Sequence, residues 1–436
     1  MSDTINNNQN ILDKLGIEAL NPMQVEAFKK ITINTEVVLL SPTGTGKTVA
    51  FLLPIIAKLD ADCAEVQALI IVPSRELALQ IEQVVRKMGS GFKTNALYGG
   101  RAGSEDKIDL KHKPAILIGT PGRIADHLRR ESFSTNDIKT LVLDEFDKSL
   151  EVGFENEMRD IVYALPKVRK KILTSATNKK EIPSFLALKK PVYIDYLHEE
   201  NEKLEIKIIA SNANNKLDSL VETLSHIGNE PGIVFCNFKD SIEDVSNFLA
   251  SKNISHGCFY GGLEQKDREL ALVKFRNGTY QVLIATDLAA RGIDVPEVKF
   301  IIHFQLPKRE EEFTHRNGRT ARMKSDGTAY ILKWRNEPMP DFVMNYEIEK
   351  LKPAPIPAPS KWKTLYITGG RRDKISKGDV AGLFLKQGEL QSYELGNIEI
   401  QQDCAFVAVQ ANKAIPTIQK VNNSKLKSKK VRVSLI

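Results

Sequence analysis

The run VVLLSPTGTGKT, residues 37–48, constrains this chain more than any other stretch. An apolar, β-branched strand passes straight into a Gly-rich turn and then a helical pattern, and a strand joined to a helix in this way belongs in a parallel α/β sheet. The exposed N–H groups of the helix N-terminus make the turn an anion cradle, to which Lys47 adds a point charge and Thr48 a hydroxyl. Thr43, Gly44, Thr45, Gly46, Lys47 and Thr48 form the phosphate loop. Ser41 stands where the strict pattern has its first Gly.

The same strand type recurs. EVVLL, ALIIVP, AILIGT, TLVLDE and KILTSAT fall within the first 180 residues, and GIVFCN, QVLIAT, KFIIHF and TAYILK come later. Each is separated from the next by an amphipathic stretch, so the chain is read as two parallel-sheet units. The charged segment YLHEENEKLE, residues 196–205, divides them, giving an N-terminal lobe over 1–203 and a second lobe over 204–350.

A second boundary is set by LKPAPIPAPSK, residues 351–361, where Pro353, Pro355, Pro357 and Pro359 block helix and sheet and leave an extended spacer over 351–360. Such a spacer is expected to let the C-terminal segment swing without collapsing onto the lobes. That segment, residues 361–436, orders as β-α-β-β-α-β: KTLYIT, a helical stretch, NIEIQ, CAFVAV, a second helical stretch and KVRVSL. This is the split βαβ layout of small α+β domains of the RNA-recognition type, among others.

Charge separates the parts. The chain is +7 overall, yet residues 361–436 hold 14 Lys/Arg against 6 Asp/Glu, leaving residues 1–360 at −1. A basic module on a neutral body points to a polyanionic partner. Lys361, Lys363, Arg371, Arg372, Lys374 and Lys377 lie close in sequence to Trp362 and Tyr366, a composition suited to phosphate contact with stacking. Phe406 is the main aromatic candidate on the third strand of that domain, too few for base stacking across the sheet, so reading through loops and basic edges is expected.

Cys63, Cys236, Cys258 and Cys404 are scattered without a Cys-x-x-Cys pair, so neither a zinc site nor a disulfide framework is expected. No apolar run approaches the ~18 residues of a membrane span, and the polar start MSDTINNNQN lacks the pattern of a signal peptide. The expected setting is the cytoplasm, with no membrane partner.

LVLDEFDKS places Asp144, Glu145 and Asp147 at the end of an apolar strand about a hundred residues after the phosphate loop. An acidic pair there suits a Mg²⁺ ligand followed by a base that orients an attacking water. With DEFD in this position, the chain resembles the DEAD-box RNA helicases. Further motifs agree in order: Gln24 in GIEALNPMQ, then PSRELALQ, YGG, TPGR, SAT, ATDLAARGID and HRNGRTAR, together covering residues 16 to about 335.

The resemblance implies two RecA-like lobes and an ATP- and Mg²⁺-dependent enzyme acting on RNA. It implies that Gln24 reads adenine, Thr48 and Asp144 serve the Mg²⁺ ion through water, and Glu145 is the general base. Asp294 contacts the ATP ribose, while Arg319 and Arg322 are arginine fingers. Asp147, Ser175 and Thr177 couple the nucleotide to the strand-separating surface, and Arg291 and Arg316 tie the lobes together. RNA contacts fall on Arg75, Gly100, Thr120 and Arg123 in the first lobe and on Gln265, Arg268 and Thr286 in the second. Taken singly, without the motifs, Gly100 reads first as a turn and Thr120 as a helix cap.

The tail resembles the C-terminal domain of the DbpA-like subfamily, which implies that Arg371, Arg372 and Lys374 contact a structured ribosomal RNA during ribosome assembly, in a monomeric protein. A non-processive ATP-gated RNA clamp and a DNA-directed translocase are the alternative functions. Four positions depart from the family pattern: Ile17 replaces an aromatic, Phe146 replaces Ala, and Asn317 and Ala321 alter the arginine stretch.

Overall fold

In a computed structural model the described residues are 2–100, 103–151, 153–177, 181–197, 204–211, 216–287, 298–320 and 326–436. They form two compact units. The first contains a seven-stranded, wholly parallel sheet in the order β3-β4-β2-β5-β6-β1-β7. Its strands are β1 (Glu36–Leu40), β2 (Ala68–Ile71), β3 (Thr94–Leu97), β4 (Ile116–Gly119), β5 (Thr140–Leu143), β6 (Lys170–Ser175) and β7 (Val192–Asp195). The strands are apolar on both faces because both faces are covered. On β1, Val37 and Leu39 enter a core with the helix Lys47–Ile56, while Val38 and Leu40 enter the core on the opposite face.

The helices are punctuated as their sequences dictate. Asn21 caps the helix Pro22–Ile33 through a reciprocal box with Gln24, and Ser74 caps Arg75–Met88, which ends on Gly89 in the left-handed region at φ 58°. Between those caps Leu77, Ala78, Ile81, Val85 and Met88 make the buried stripe.

The second unit begins with another seven-stranded parallel sheet, ordered β10-β11-β9-β12-β13-β8-β14. Its strands are β8 (Leu204–Ser211), β9 (Gly232–Phe235), β10 (His256–Phe259), β11 (Val282–Ala285), β12 (Phe300–His303), β13 (Gly327–Trp334) and β14 (Tyr346–Ile348). After the proline spacer, which forms neither helix nor strand, comes a four-stranded antiparallel sheet. It is ordered β16-β17-β15-β20, from β15 (Trp362–Ile367), β16 (Leu395–Ile400), β17 (Ala405–Gln410) and β20 (Val433–Leu435); a short hairpin of β18 (Lys425–Leu426) and β19 (Lys429–Lys430) precedes β20. Two parallel-sheet RecA-like lobes and an α+β tail are thus present, as the sequence led one to expect.

Strand alternation gives the tail two faces. Leu365, Ile367, Val407 and Val409 point into its core with the helix Ala411–Val421. Trp362, Thr364 and Tyr366 take the other face, and there the structure departs from the expected swing. Thr364, fully buried, receives a hydrogen bond from Asn277 Nδ2 at 3.2 Å and lies 2.7 Å from Thr279 Oγ1. Arg276 grips Glu399 with Nε at 3.0 Å and a terminal nitrogen at 2.8 Å, and Asn397 Nδ2 donates to Asn277 at 3.0 Å. Ser360 Oγ donates to the Gly278 carbonyl, with the Trp362 ring beside Gly278.

The turn after the helix Gln265–Arg276 is therefore docked on part of the tail's sheet face, and the spacer joins two bodies already in contact. A buried polar group stripped of its partner costs about 1–3 kcal/mol, so the contact is specific. Glu399→Lys sets two cations against each other. In a Trp334→Phe background, where Trp362 is the one remaining tryptophan, the substitution is expected to shift tryptophan emission to the red. An unchanged spectrum contradicts the docking.

Candidate active site

The phosphate-loop, acidic, coupling and RNA-contact residues expected in the first lobe lie at or within a few residues beyond the C-terminal ends of parallel strands, the edge where such sheets bind ligands, whereas Gln24 and Ile17 precede the first strand. The phosphate loop comes after β1, Arg75 after β2, Gly100 after β3, Thr120 after β4 and Asp144 after β5, while Ser175 closes β6. Gly44 and Gly46 are left-handed at φ 86° and 87°, and a Cβ on Gly46 would collide with the Gln24 amide.

The loop is held from two sides. Gln24, buried, donates from Nε2 to the Gly46 carbonyl at 3.2 Å, and Asn21 Nδ2 donates to the Thr45 carbonyl at 3.0 Å. An amide has two donors and two acceptor lone pairs, so Gln24 can hold the loop and still face a base. Ile17, in place of an aromatic, packs against the adjoining core. The Ser41 substitution also has a local reason: its hydroxyl donates to Thr45 Oγ1 at 2.7 Å, and Thr45 in turn donates to the Pro42 carbonyl at 2.8 Å. Lys47, buried, donates from Nζ to the Ser41 and Pro42 carbonyls at 2.6 and 2.7 Å, which parks its charge over the loop.

Opposite stands the acidic strand end. Asp144 is fully buried and burial pushes its carboxyl up from the usual range, against the hydrogen bond from Thr174 Oγ1 and the charge of Lys47. A buried carboxylate raised in this way gains most from a nearby cation, so Asp144 and Thr48 fit a magnesium–phosphate group held largely by the nucleotide itself. Glu145 sits at φ 48°, left-handed and strained for a residue with a Cβ, with its N–H donating to Thr174 Oγ1 at 3.2 Å. Phe146 does not crowd the acidic pair. Its ring is buried in the core cluster that includes Leu143, Met158, Ile161 and Leu173, which makes the larger residue a packing element.

Asp147 joins the next strand. Thr177 Oγ1 donates to its Oδ2 at 3.0 Å, and Ser175 Oγ donates to the Thr177 carbonyl at 2.7 Å, so DEFD and SAT form one network. Thr174, which carries both Asp144 and Glu145, was not singled out from the sequence. Its signal is a hydroxyl directly after the apolar pair Ile172–Leu173, on the strand beside the acidic one, and the β5–β6 pairing supplies the proximity.

The expected RNA contacts also come together. Arg75 lies over Tyr98 at 5.4 Å, and a Cβ on Gly100, itself at φ 80°, would sit 2.6 Å from an Arg75 terminal nitrogen. Thr120 is the N-cap of Pro121–Arg129 without a side-chain cap bond, so its hydroxyl is not spent on the helix. Arg123 is aimed by Asp106, with Nε at 2.7 Å and a terminal nitrogen at 2.6 Å from Oδ2. Burial pushes Asp106 up, but hydrogen bonds from His127 and Arg123 outweigh it and hold the carboxyl below its usual value. In the second lobe Gln265 opens its helix and bonds Glu269 at 2.7 Å, and Arg268 stacks over Phe259 at 5.2 Å. Thr286 comes directly after β11, its N–H reaching the Phe259 carbonyl at 3.4 Å.

Arg316 does not do what the sequence led one to expect. It is 1% exposed and its guanidinium is consumed inside the second lobe. Nε and one terminal nitrogen grip Asp287, each at 2.6 Å. The same terminal nitrogen reaches Asn237 at 2.7 Å, and the other donates to the Gln305 carbonyl at 2.6 Å and faces His303 Nδ1 at 3.5 Å. With all five N–H directions used, Arg316 braces its own lobe and has no donor left for another. Burial, then the charge of Arg316, drives His303 down to about 3, and the neutral ring pairs with Asn317 at 3.0 Å. That pairing gives Asn317, one of the departures, a place. Arg319 is buried just beyond the same helix. Arg291, Asp294, Ala321 and Arg322 lie outside the described residues.

In the tail the basic group divides. Trp362 begins β15 on the docked face, whereas Arg371, Arg372 and Lys374 lie beyond the other end of that strand, roughly 17 Å along at 3.3 Å per residue. The Arg371 and Arg372 N–H groups are tied to the Gln401 and Gln402 carbonyls at 2.9 Å each, and Lys429 pairs with Asp373 at 2.8 Å. Tyr366 and Phe406, cross-strand partners with centroids 5.6 Å apart, are the aromatics nearer this end.

Comparison with known proteins decides the family. The DEAD/DEAH box helicase description matches residues 21–185, the helicase conserved C-terminal domain residues 214–324, and the DbpA RNA binding domain residues 364–435. The ATP-dependent RNA helicase DbpA of Escherichia coli (strain K12) is 31% identical over 98% of this chain and 96% of its own length. The chain belongs to the DEAD-box ATP-dependent RNA helicases. DbpA of Bacillus subtilis (strain 168) is 28% identical over 97% of this chain and 96% of its own. The DEAD-box helicase Mss116, solved with single-stranded RNA and UDP-BeF, superposes with a TM-score of 0.69 at 26% identity, covering 79% of this chain and 77% of that one. This helicase accordingly binds ATP and RNA. No helix among the described residues is long and apolar enough to cross a membrane.

Proposed function

We propose that this helicase remodels structured RNA, specifically ribosomal RNA during ribosome assembly, as a cytoplasmic monomer. The observation that carries the reading is the tail: a basic domain matching the DbpA RNA binding domain, part of its sheet face taken up by the second lobe and Arg371, Arg372 and Lys374 on the bonded loop beyond β15. Docking leaves loops and basic edges for recognition. It also makes the second lobe and the RNA-gripping loop one body, so motion of that lobe moves the gripped RNA.

In the first lobe the phosphate loop and Lys47 hold the triphosphate and Gln24 orients the adenine. Thr48 and Asp144 hold the magnesium ion, which supplies charge neutralisation at the phosphates when bound. Glu145, pinned by Thr174, accepts a proton from the attacking water, and Arg319 with Arg322 stabilises charge on the transferred phosphoryl group. Asp147, Ser175 and Thr177 carry the change toward the strand ends bearing Arg75, Gly100, Thr120 and Arg123, with Gln265, Arg268 and Thr286 contacting RNA from the second lobe.

Replacing Arg371, Arg372 and Lys374 together by Ala tests the address. Competition binding of ribosomal RNA fragments against unstructured RNA should lose its preference, and the salt slope of binding should flatten by about 0.7–0.9 per lost phosphate contact. ATP turnover driven by saturating unstructured RNA should persist. Retained preference for the ribosomal fragments overturns the assignment.

A further inference from the structure

Phe238 is the only exposed phenylalanine among the described residues, at 59% exposure, whereas the others are buried or half-buried. A single exposed apolar side chain is ordinary on a protein surface, so its place matters more than its exposure. It lies shortly beyond β9, on the C-terminal edge of the second lobe's parallel sheet. Along that edge the strand order is β10-β11-β9, with Tyr260 directly after β10 and Thr286 directly after β11. Neighbouring strands are about 4.8 Å apart, so the ends of β9 and β10 are separated by roughly 10 Å.

The ring is mounted on fixed backbone. Asn237, the residue before it, donates its backbone N–H to Gln305 Oε1 at 2.8 Å and Nδ2 to the Leu306 carbonyl at 2.9 Å, and accepts from Arg316 at 2.7 Å. Phe238 itself is extended, at φ −128° and ψ 153°, and its carbonyl receives the Ile242 N–H at 3.3 Å as the helix Lys239–Ser251 begins. Lys239, exposed, reaches across to the end of β10, with Nζ 5.9 Å from the centre of the Tyr260 ring and 3.3 Å from Glu243. A Cβ on Gly262 would lie 3.2 Å from that ring and 3.7 Å from the Lys239 stem, so the glycine lets both close over the loop that leads to Gln265. An exposed ring and an exposed cation thus share one strand-end edge with Gln265, Arg268 and Thr286.

We propose that Phe238 is a base-stacking residue of the second lobe: one base of the bound single strand lies against its ring while Lys239 meets a neighbouring phosphate. The surroundings select this occupant. Every base has a π face, a pinned aromatic loses little freedom on meeting one, and an adjacent cation suits the ribose-phosphate chain, the pairing by which single strands are held without regard to sequence. An apolar protein segment would cover the ring but gain nothing from Lys239. The inference rests on the RNA reading of Gln265, Arg268 and Thr286 and carries it from the backbone to a base.

The test uses the full chain and two short oligomers of equal length, one of uridine and one of abasic ribose phosphate. Binding is measured with and without a non-hydrolysable ATP analogue, and the nucleotide-dependent part reads the lobes and not the tail. Phe238→Ala is expected to weaken binding of the uridine oligomer by about 5- to 150-fold, the range of base–aromatic stacking, and that of the abasic oligomer by less than about twofold. Phe238→Trp should restore the difference between the oligomers. The salt slope should stay as it is in Phe238→Ala, since a ring releases no counterion, and fall by about 0.7 in Lys239→Ala. An equal loss on both oligomers overturns the proposal, because the ring would then support the lobe and touch no base. No loss on either also overturns it, and leaves the ring to a protein partner. Arg268→Ala separates this from the underlying reading. It should weaken both oligomers alike; if it weakens neither, the RNA contacts of the second lobe fail as a whole, and if it does while Phe238→Ala changes nothing, stacking alone fails.

Discussion

Glu145→Gln is expected to lower RNA-stimulated ATP turnover by about 10²–10⁴-fold, the range a positioned general base contributes, while ATP still binds. The substitution keeps the side chain's size and removes its capacity to take a proton. It leaves the N–H bond to Thr174 and the left-handed backbone at φ 48° as they are, because both belong to the main chain. A fall in ATP affinity matching the fall in turnover would mean that Glu145 binds nucleotide and acts as no base. Single-turnover hydrolysis with bound nucleotide separates the two. Thr174→Val supplies an internal control. It removes the hydroxyl that receives Glu145 N–H and donates to Asp144, so turnover should fall with the base itself present.

Lys47→Ala is expected to weaken ATP binding by about 10²-fold or more. Each charge-assisted hydrogen bond to a phosphate is worth roughly 1.5–3 kcal/mol, and two of them exceed the ~2.8 kcal/mol that corresponds to a hundredfold. The loop should nonetheless keep its shape. Gln24, Asn21 and the Ser41–Thr45–Pro42 chain hold it independently of the two carbonyl contacts that Lys47 makes. Equilibrium binding of a fluorescent ATP analogue, with circular dichroism to show an intact fold, measures this. Affinity within a few-fold of the unsubstituted protein contradicts the phosphate-loop role of Lys47.

Much of this architecture is legible in the residues. The strand-loop-helix at 37–48 and the repeated β-branched runs dictate parallel sheets, and a parallel sheet gathers the ends of its strands on one edge, so motifs far apart in sequence meet there. What the sequence hides is partnership. Arg316 carries the same side chain whether it spans lobes or braces one; its partners Asp287, Asn237 and Gln305 are 29, 79 and 11 positions away, and no local pattern links them. Thr174 and Asp106 escape notice for the same reason, since each acts by holding another residue. The proline spacer misleads in a different way. Its stiffness is local and real, yet whether the tail swings depends on Thr364, Asn277, Thr279 and the Arg276–Glu399 pair, which only the folded faces bring together.

The alternatives of an RNA clamp or a DNA-directed motor diverge from a helicase in one observable. Steady-state ATP turnover by the full chain should be measured with saturating RNA, with DNA of the same sequence, and with neither. The account predicts strong stimulation by RNA, little by DNA, and a loss of the RNA-stimulated rate in Glu145→Gln. Equal stimulation by DNA, or a rate indifferent to any nucleic acid, would contradict it.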